Sequence, residues 1–265
     1  MKIIDCFIFY NELDLLKYRL NILNSVVDYF IIVESTHTHV GKEKHMYFND
    51  VKNLFDDFKE KIIHIIVDDF PYKYPNININ NKEQWINENF QRNAISRGFQ
   101  FINNLSDDDI ITITDLDEIP DPNTLLQIKN NIISISINNL EMDLYYYNLN
   151  SKFLRKWDRA KILSYQKYKE LNTTPNNIRF INCNTVKNGG WHLSYFGDSN
   201  FIKNKLHNFT HQEYNNNNFT DLSIIENKIN NCKDLFNNNP PINITIDNNN
   251  YLPPEYSIYL TKYYY

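Results

Sequence analysis

The sequence predicts an α/β fold built on a mostly parallel sheet with flanking helices, and three observations carry that expectation. Four apolar, largely β-branched segments read as strands buried on both faces: Ile3 to Tyr10, Tyr29 to Glu34, Ile62 to Val67 and the run that begins at Ile110. Each runs into polar or acidic residues: Asn11-Glu12, Glu34-Ser35-Thr36, Asp68-Asp69 and Asp115-Leu116-Asp117-Glu118. Helix-like periodicity lies between them, so the order β-α-β-β-α-β points to parallel pairing with crossover helices. In open α/β sheets, ligands sit just beyond the carboxyl ends of the strands, which here would gather along one polar edge.

The first helix is read from Leu13, Leu16, Leu20 and Leu23, which recur at three- and four-residue spacing, with Asn11 as its cap. Pro71 and Pro75 mark a loop after the third strand. A long helix is expected over Glu83 to Leu105, with Trp85, Phe90, Ala94 and Phe101 near its apolar side. Beyond Pro120, Ile132 to Ile137 and Asp143 to Leu149 read as strands, with Tyr145, Tyr146 and Tyr147 partly exposed. Helices are expected over Ser199 to Phe209 and Asp221 to Asn231, and Asn237 to Pro241 reads as a loop. Neither a repeat nor a clear linker interrupts the chain, so residues 1–265 are read as one domain, with a nucleotide-binding half (1–120) and an acceptor-binding half (121–265).

Composition bounds the function. The 265 residues are 42% hydrophobic and include 17 Phe and 19 Tyr, enough for a sizeable core. The net charge of -5 and the absence of a basic stripe argue against nucleic acid as a partner. Cys6, Cys183 and Cys232 are odd in number and match no zinc spacing, which fits the cytoplasm or another reducing compartment. Asp5 interrupts the N-terminal apolar run too early for a secretory signal, and no run is long enough to span a bilayer as a helix.

Asp115-Leu116-Asp117, at the end of a buried strand, is the strongest chemical signal. Magnesium-like cations are commonly held by one or two carboxylates together with substrate phosphates and water. Read from the residues alone, the motif fits a metal-binding pair of a sugar-nucleotide transferase, the nucleophile loop of a haloacid-dehalogenase-type phosphatase, or an acidic turn. The phosphatase loop needs Thr or Val where this chain has Ile119, and its strand is normally the first of the fold.

Several motifs in one order narrow these readings. Asp5-Cys6-Phe7-x-Phe9-Tyr10-Asn11-Glu12-Leu13-Asp14-Leu15-Leu16-x-x-Arg19-Leu20, Val33-Glu34-Ser35, Thr38-His39-x-Gly41, Asp115-x-Asp117-Glu118-Ile119-Pro120, Gly190-Trp191-His192 and His211-x-Glu213 together resemble glycosyltransferase family 17. That family includes the β-1,4-mannosyl-glycoprotein β-1,4-N-acetylglucosaminyltransferases. The resemblance implies a GT-A fold, a UDP-sugar donor such as UDP-GlcNAc, a glycan acceptor, Mn2+ or Mg2+, and inversion at the anomeric carbon. The competing class is a relative that binds a nucleotide or glycan without turnover.

Within that frame Asp117 is the first choice of metal ligand, and Asp115 would bind metal or ribose. Asn11, Glu12 and Glu34, at strand ends, are candidate nucleotide contacts. Arg92 is a candidate diphosphate clamp, since a guanidinium grips phosphate bidentately. Gly189-Gly190 would permit close backbone approach to a ligand, with Gly190 and Trp191 at the donor and Trp191 stacking on a sugar. His192 and His211 are alternative metal ligands, and His192 is also a candidate contact to a donor phosphate. For the base that takes the acceptor's proton, Glu213 is the first choice, with Asp198 and Asp221 as alternatives.

Overall fold

The computed structural model describes residues 1–265 throughout. The first half runs β1 (Ile3–Phe9), α1 (Leu13–Leu23), β2 (Tyr29–Ser35), α2 (Tyr47–Val51), β3 (Ile62–Val67), α3 (Glu83–Asn93), β4 (Ile110–Asp115), β5 (Glu118–Pro120) and α4 (Pro122–Lys129). The second continues with β6 (Ile137–Tyr146), β7 (Ser151–Trp157), β8 (Lys161–Ser164), α5 (Tyr165–Leu171), α6 (Pro175–Arg179) and β9 (Asn184–Ser194). It closes with α7 (Ser199–Asn208), α8 (Asn217–Thr220), α9 (Leu222–Asn230), β10 (Ile242–Asn243) and α10 (Tyr256–Tyr259). No helix is long and apolar enough to cross a membrane.

The strand order is β10-β7-β6-β8-β4-β1-β2-β3, with β9 beside β6 and β5 beside β9. The α/β arrangement expected from the sequence, strands with flanking helices, is present. The β1, β2, β3 and β4 group is wholly parallel. The second half differs from expectation: β8 runs antiparallel to β4 and β6, β7 to β6, and β5 to β9. Short connections allow this, since β6, β7 and β8 follow one another without crossover helices.

Alternation along β1 explains both core layers. Ile3, Phe7 and Phe9 pack with Leu16, Leu20 and Leu23 of α1. Ile4 and Cys6 face the other way, against Ile95 and Phe99 after α3. Asp5 points to the α1 side and is fully buried, as is Arg19 of α1. Arg19 Nη2 and Nε donate to the two Asp5 oxygens at 2.7 and 2.8 Å. The remaining Arg19 donors reach Thr114 Oγ1 at 2.7 Å and the carbonyls of Asp115, Leu116 and Glu118 at 2.9 to 3.0 Å.

Four local expectations are corrected. Asn11 does not cap α1; the cap position belongs to Glu12 and carries no side-chain bond to the helix. The long helix is α-helical only to Asn93, then tightens to a 3₁₀ helix over Ala94–Phe101. Each 3₁₀ residue turns about 120° instead of about 100°, so the apolar face drifts and Phe101 ends 59% exposed. Ile132 to Ser136 is not strand. Asn131 adopts φ 57° and the Ile132 N–H returns to Gln127 O, a Schellman ending of α4 that uses these residues as a stop. Tyr145, Tyr146 and Tyr147 are buried; Tyr146 and Tyr147 pack with Phe153 and with α7 and α9, and Asn249 Nδ2 donates to Tyr145 Oη at 2.7 Å.

Replacing Arg19 by Met leaves Asp5 buried without its partner and three carbonyls without donors. Urea denaturation should show a loss of about 3–5 kcal/mol, the usual result of breaking a buried pair; a loss below about 1 kcal/mol would contradict this role for Arg19.

Candidate active site

The acidic turn sits between β4, which ends at Asp115, and β5, which begins at Glu118. Arg19 holds its carbonyls from beneath. Glu118, fully buried, ties it from the other side: its Oε2 accepts from the Asp115 N–H at 2.9 Å and from Arg179 Nη1 at 2.7 Å. Trp157 Nε1 donates to Glu118 Oε1 at 2.6 Å, and Arg179 Nη2 donates to the same oxygen. The turn is therefore rigid, and Asp115 and Asp117 line a cleft of about 620 Å³. The register places Ile8 of β1 opposite Asp115 and Phe9 opposite Glu34, so the parallel strands end at one level beside this cleft.

The two aspartates have unlike surroundings. Asp115 has both oxygens paired with arginine: Oδ1 with Arg92 Nη2 and Oδ2 with Arg179 Nη2, each at 3.0 Å. Burial alone would raise its pKa, but Arg179 and Arg92 outweigh it and hold the carboxyl below the ordinary range. Asp117 faces Lys205 Nζ at 3.1 Å and His192 Nε2 at 3.5 Å. Burial again opposes ionisation, and Lys205 followed by His192 drives the pKa well down. Lys205 Nζ also lies 3.3 Å from Glu12 Oε1. Asp117 and Glu12 hold the Lys205 ammonium charged despite its burial.

The remaining expected residues are distributed unevenly. Glu12 lines the main cleft; Asn11 lines a smaller adjoining recess, with its Oδ1 buried and unpartnered. Glu34 is fully buried and turned away from the cleft. Its oxygens accept from the N–H groups of Phe48 and Asn49 and pair with His64, anchoring α2 instead of meeting a ligand. Arg92 reaches the cleft, but it is committed to Asp115, Glu88 and Asn176.

The Gly190-Trp191-His192 segment works differently from expectation. Gly190 has φ +136°, and a Cβ there would lie 2.0 Å from Ile119 O; a Cβ on Gly189 would lie 2.7 Å from Glu141 N. The close approach is strand against strand, not backbone against ligand. Trp191 is 1% exposed, stacks on Tyr251 at 4.8 Å and donates to the Tyr251 carbonyl, so it is a core residue and meets no sugar. What the glycines achieve is register: β9 fits against β5 with His192 opposite Glu118, and His192 faces Asp117.

His211 also lines the cleft, but its Nδ1 is paired with Glu213 Oε1 at 2.7 Å and its ring stands edge-on to Trp85 at 4.6 Å. Glu213 is exposed behind it. Asp198 and Asp221 are exposed N-caps of α7 and α9, accepting from the N–H groups of Phe201 and of Ser223 and Ile224. Those bonds account for the two residues in helix termini, and neither lines the main cleft.

Among the cleft residues that sequence reasoning missed are Glu88, Trp157, Arg179 and Lys205. Glu88 left one trace, its i,i+4 spacing to Arg92. Arg179 sits on the five-residue α6, and nothing near it in sequence marks it as a partner of Asp115. Lys205 reads as an ordinary helix lysine until α7 is folded across Glu12 and Asp117.

No three His, Cys, Asp or Glu side chains converge into a protein-only metal cage. The donor chemistry nonetheless fits a divalent ion that shares its shell with substrate. Asp117 offers a carboxylate and His192 an imidazole, and phosphate oxygens and water would supply the remainder. Each Asp115 oxygen already accepts from an arginine, which disfavours a further cation there.

The sequence model of glycosyltransferase family 17 matches residues 1–243. The β-1,4-mannosyl-glycoprotein 4-β-N-acetylglucosaminyltransferase of Rattus norvegicus is 29% identical over 131 residues, 48% of this chain and 23% of that protein. The Homo sapiens enzyme of that name is 30% identical over 122 residues, 45% of this chain and 22% of that protein. The match thus spans under a quarter of the length of these curated relatives. Among solved structures, the mannosyltransferase PcManGT from Pyrobaculum calidifontis, in complex with GDP-Man and Mn2+, gives a TM-score of 0.43 at 9% identity. That alignment covers 78% of this chain and 61% of that one, a likeness below the level at which a shared fold follows.

The cleft also yields a pH dependence. His39 Nε2 pairs with Gln91 Oε1 at 2.9 Å, and burial holds its pKa below the ordinary 6.5. The unfolded chain therefore takes up this proton before the folded one does. The stability His39 contributes is complete above pH 6.5 and is lost as pH falls below that value. Melting temperatures between about pH 8 and pH 5 should fall less steeply for His39→Gln than for wild type; superimposable profiles would contradict the assignment.

Proposed function

This chain belongs to glycosyltransferase family 17, and on that premise we propose that it is a metal-dependent, inverting glycosyltransferase. It transfers a sugar, with GlcNAc the first to test, from a UDP-sugar to a hydroxyl of a glycan. The observation that carries this reading is the inequality of the two aspartates: one is locked by arginines, while the other presents its carboxylate, beside His192, to a large cleft at the carboxyl edge of parallel strands. The same inequality disfavours a phosphatase, because both oxygens of Asp115, in the nucleophile position, are held and neutralised by arginine, which weakens them as nucleophiles toward phosphorus.

Asp117 and His192 would hold Mn2+ or Mg2+. The ion, when bound, supplies positive charge to the departing diphosphate. Arg92 and Arg179 fix Asp115, which is then a rigid acceptor for a donor hydroxyl. Glu88 Oε2 and Arg92 Nε, both buried and unpartnered, offer an acceptor and a donor to the transferred sugar. Trp85, Trp157 and Tyr214 give the cleft aromatic walls against which sugar faces can pack.

For the proton, the geometry favours His211 over Glu213 as the direct base. Glu213 Oε1 orients His211 through Nδ1, leaving Nε2 for the acceptor hydroxyl. As that oxygen bonds to the anomeric carbon, its proton passes to His211 and the carbon–phosphate oxygen bond breaks, its electron pair leaving with the diphosphate.

Three outcomes are expected. In a screen of UDP- and GDP-sugars with Mn2+, UDP release should appear with UDP-GlcNAc and require the ion; release from none of the donors would contradict the function. Asp117→Ala should abolish Mn2+-dependent UDP binding in calorimetry while circular dichroism stays native, and unchanged binding would overturn its role. His211→Asn should lower kcat by about 10²–10⁴-fold with little change in donor affinity, whereas Glu213→Gln should cost less; near-normal turnover by His211→Asn would return the base to another residue.

A further inference from the structure

We propose that Lys205 is a mobile counter-cation: it neutralises Asp117 while the cleft is empty and moves onto the donor's diphosphate when a divalent ion takes that carboxylate. The proposal rests on the sugar-nucleotide reading above.

Three observations lead to it. The Lys205 ammonium lies between Asp117 Oδ2 at 3.1 Å and Glu12 Oε1 at 3.3 Å, bridging the acidic turn, the end of β1 and α7. It lines the cleft, and its side chain is 19% exposed, so it is reachable from the ligand side. The other buried cations lining the cleft are committed elsewhere, Arg92 to Asp115, Glu88 and Asn176 and Arg179 to Asp115 and Glu118, while Arg155 and Arg159, which also line it, are exposed. Lys205 alone among them pairs with the carboxylate that a metal would use.

Charge then dictates an exchange. A dication and an ammonium repel strongly when they share one carboxylate in a partly dehydrated cleft. Lys205 would therefore give up Asp117 to a bound divalent ion, and its unbranched four-carbon stem permits the move, where a guanidinium fixed by several bonds would resist. A diphosphate bound beside that ion would offer negative charge that suits a compact ammonium acting as a point charge. Glu12, left behind, keeps the displaced side chain near the turn. Tyr195, whose ring centroid lies 5.3 Å from Nζ, offers a face along which it can slide.

The test uses opposite signs. Mn2+ binding without nucleotide is followed by electron paramagnetic resonance, and UDP binding at saturating Mn2+ by calorimetry, for wild type, Lys205→Met and Lys205→Arg. Lys205→Met should bind Mn2+ alone more tightly, by about fivefold or more, and UDP more weakly, by about tenfold or more. Lys205→Arg should regain part of the UDP affinity. Circular dichroism checks that each variant is folded; with the fold native, weaker or unchanged Mn2+ binding by Lys205→Met overturns the exchange. Unchanged UDP affinity overturns the diphosphate contact. If wild type binds UDP and Lys205→Met matches it in both assays, Lys205 alone is misassigned; if wild type binds no UDP at any Mn2+ concentration, the sugar-nucleotide reading falls and this assignment with it.

Discussion

Arg19 spends its donors on Asp5, on Thr114 and on three successive stations of the acidic turn, the carbonyls of Asp115, Leu116 and Glu118. A guanidinium is the one side chain that can meet so many acceptors in a fixed plane. Burying it demands a paired carboxylate, which explains an aspartate in the middle of an otherwise apolar first strand. The consequence reaches beyond stability. Because the turn's backbone is fixed to α1 from below and to Glu118 from above, the aspartate side chains emerge at set positions. Everything else in the cleft is arranged around them.

The second organising feature is the division of labour between those aspartates. Two arginines each engage one oxygen of Asp115, so it acts as structure and as a fixed acceptor. Asp117 is balanced by one lysine and one histidine that arrive from the second half of the chain, on α7 and β9. The cleft is thus closed electrostatically only when both halves are folded together. Gly190 belongs to this logic: by letting β9 lie against β5, it delivers His192 to Asp117.

Much of the frame was legible in the sequence because buried parallel strands carry a strong local signature. β1 to β4 and the acidic turn were all read within a residue or two of where they lie. The failures share one cause. Trp191, Glu34 and Tyr145 to Tyr147 are read from residue type or place along a strand, and their surroundings come from other segments of the chain: Tyr251 for Trp191, His64 and α2 for Glu34, α7 and α9 for the tyrosines. Asp198 and Asp221 illustrate the same limit, since an aspartate before a helix serves the helix first. Arg179 and Lys205 carried no local mark at all; their meaning arises only where three chain segments meet.

The most direct test of this account is an anomalous-scattering map at the manganese edge from crystals grown with Mn2+ and UDP. The predicted result is one manganese peak within bonding distance of Asp117, with Asp115 still clasped by Arg92 and Arg179. A manganese ion held by Asp115 after release of its arginines, or a peak remote from the acidic turn, would contradict it.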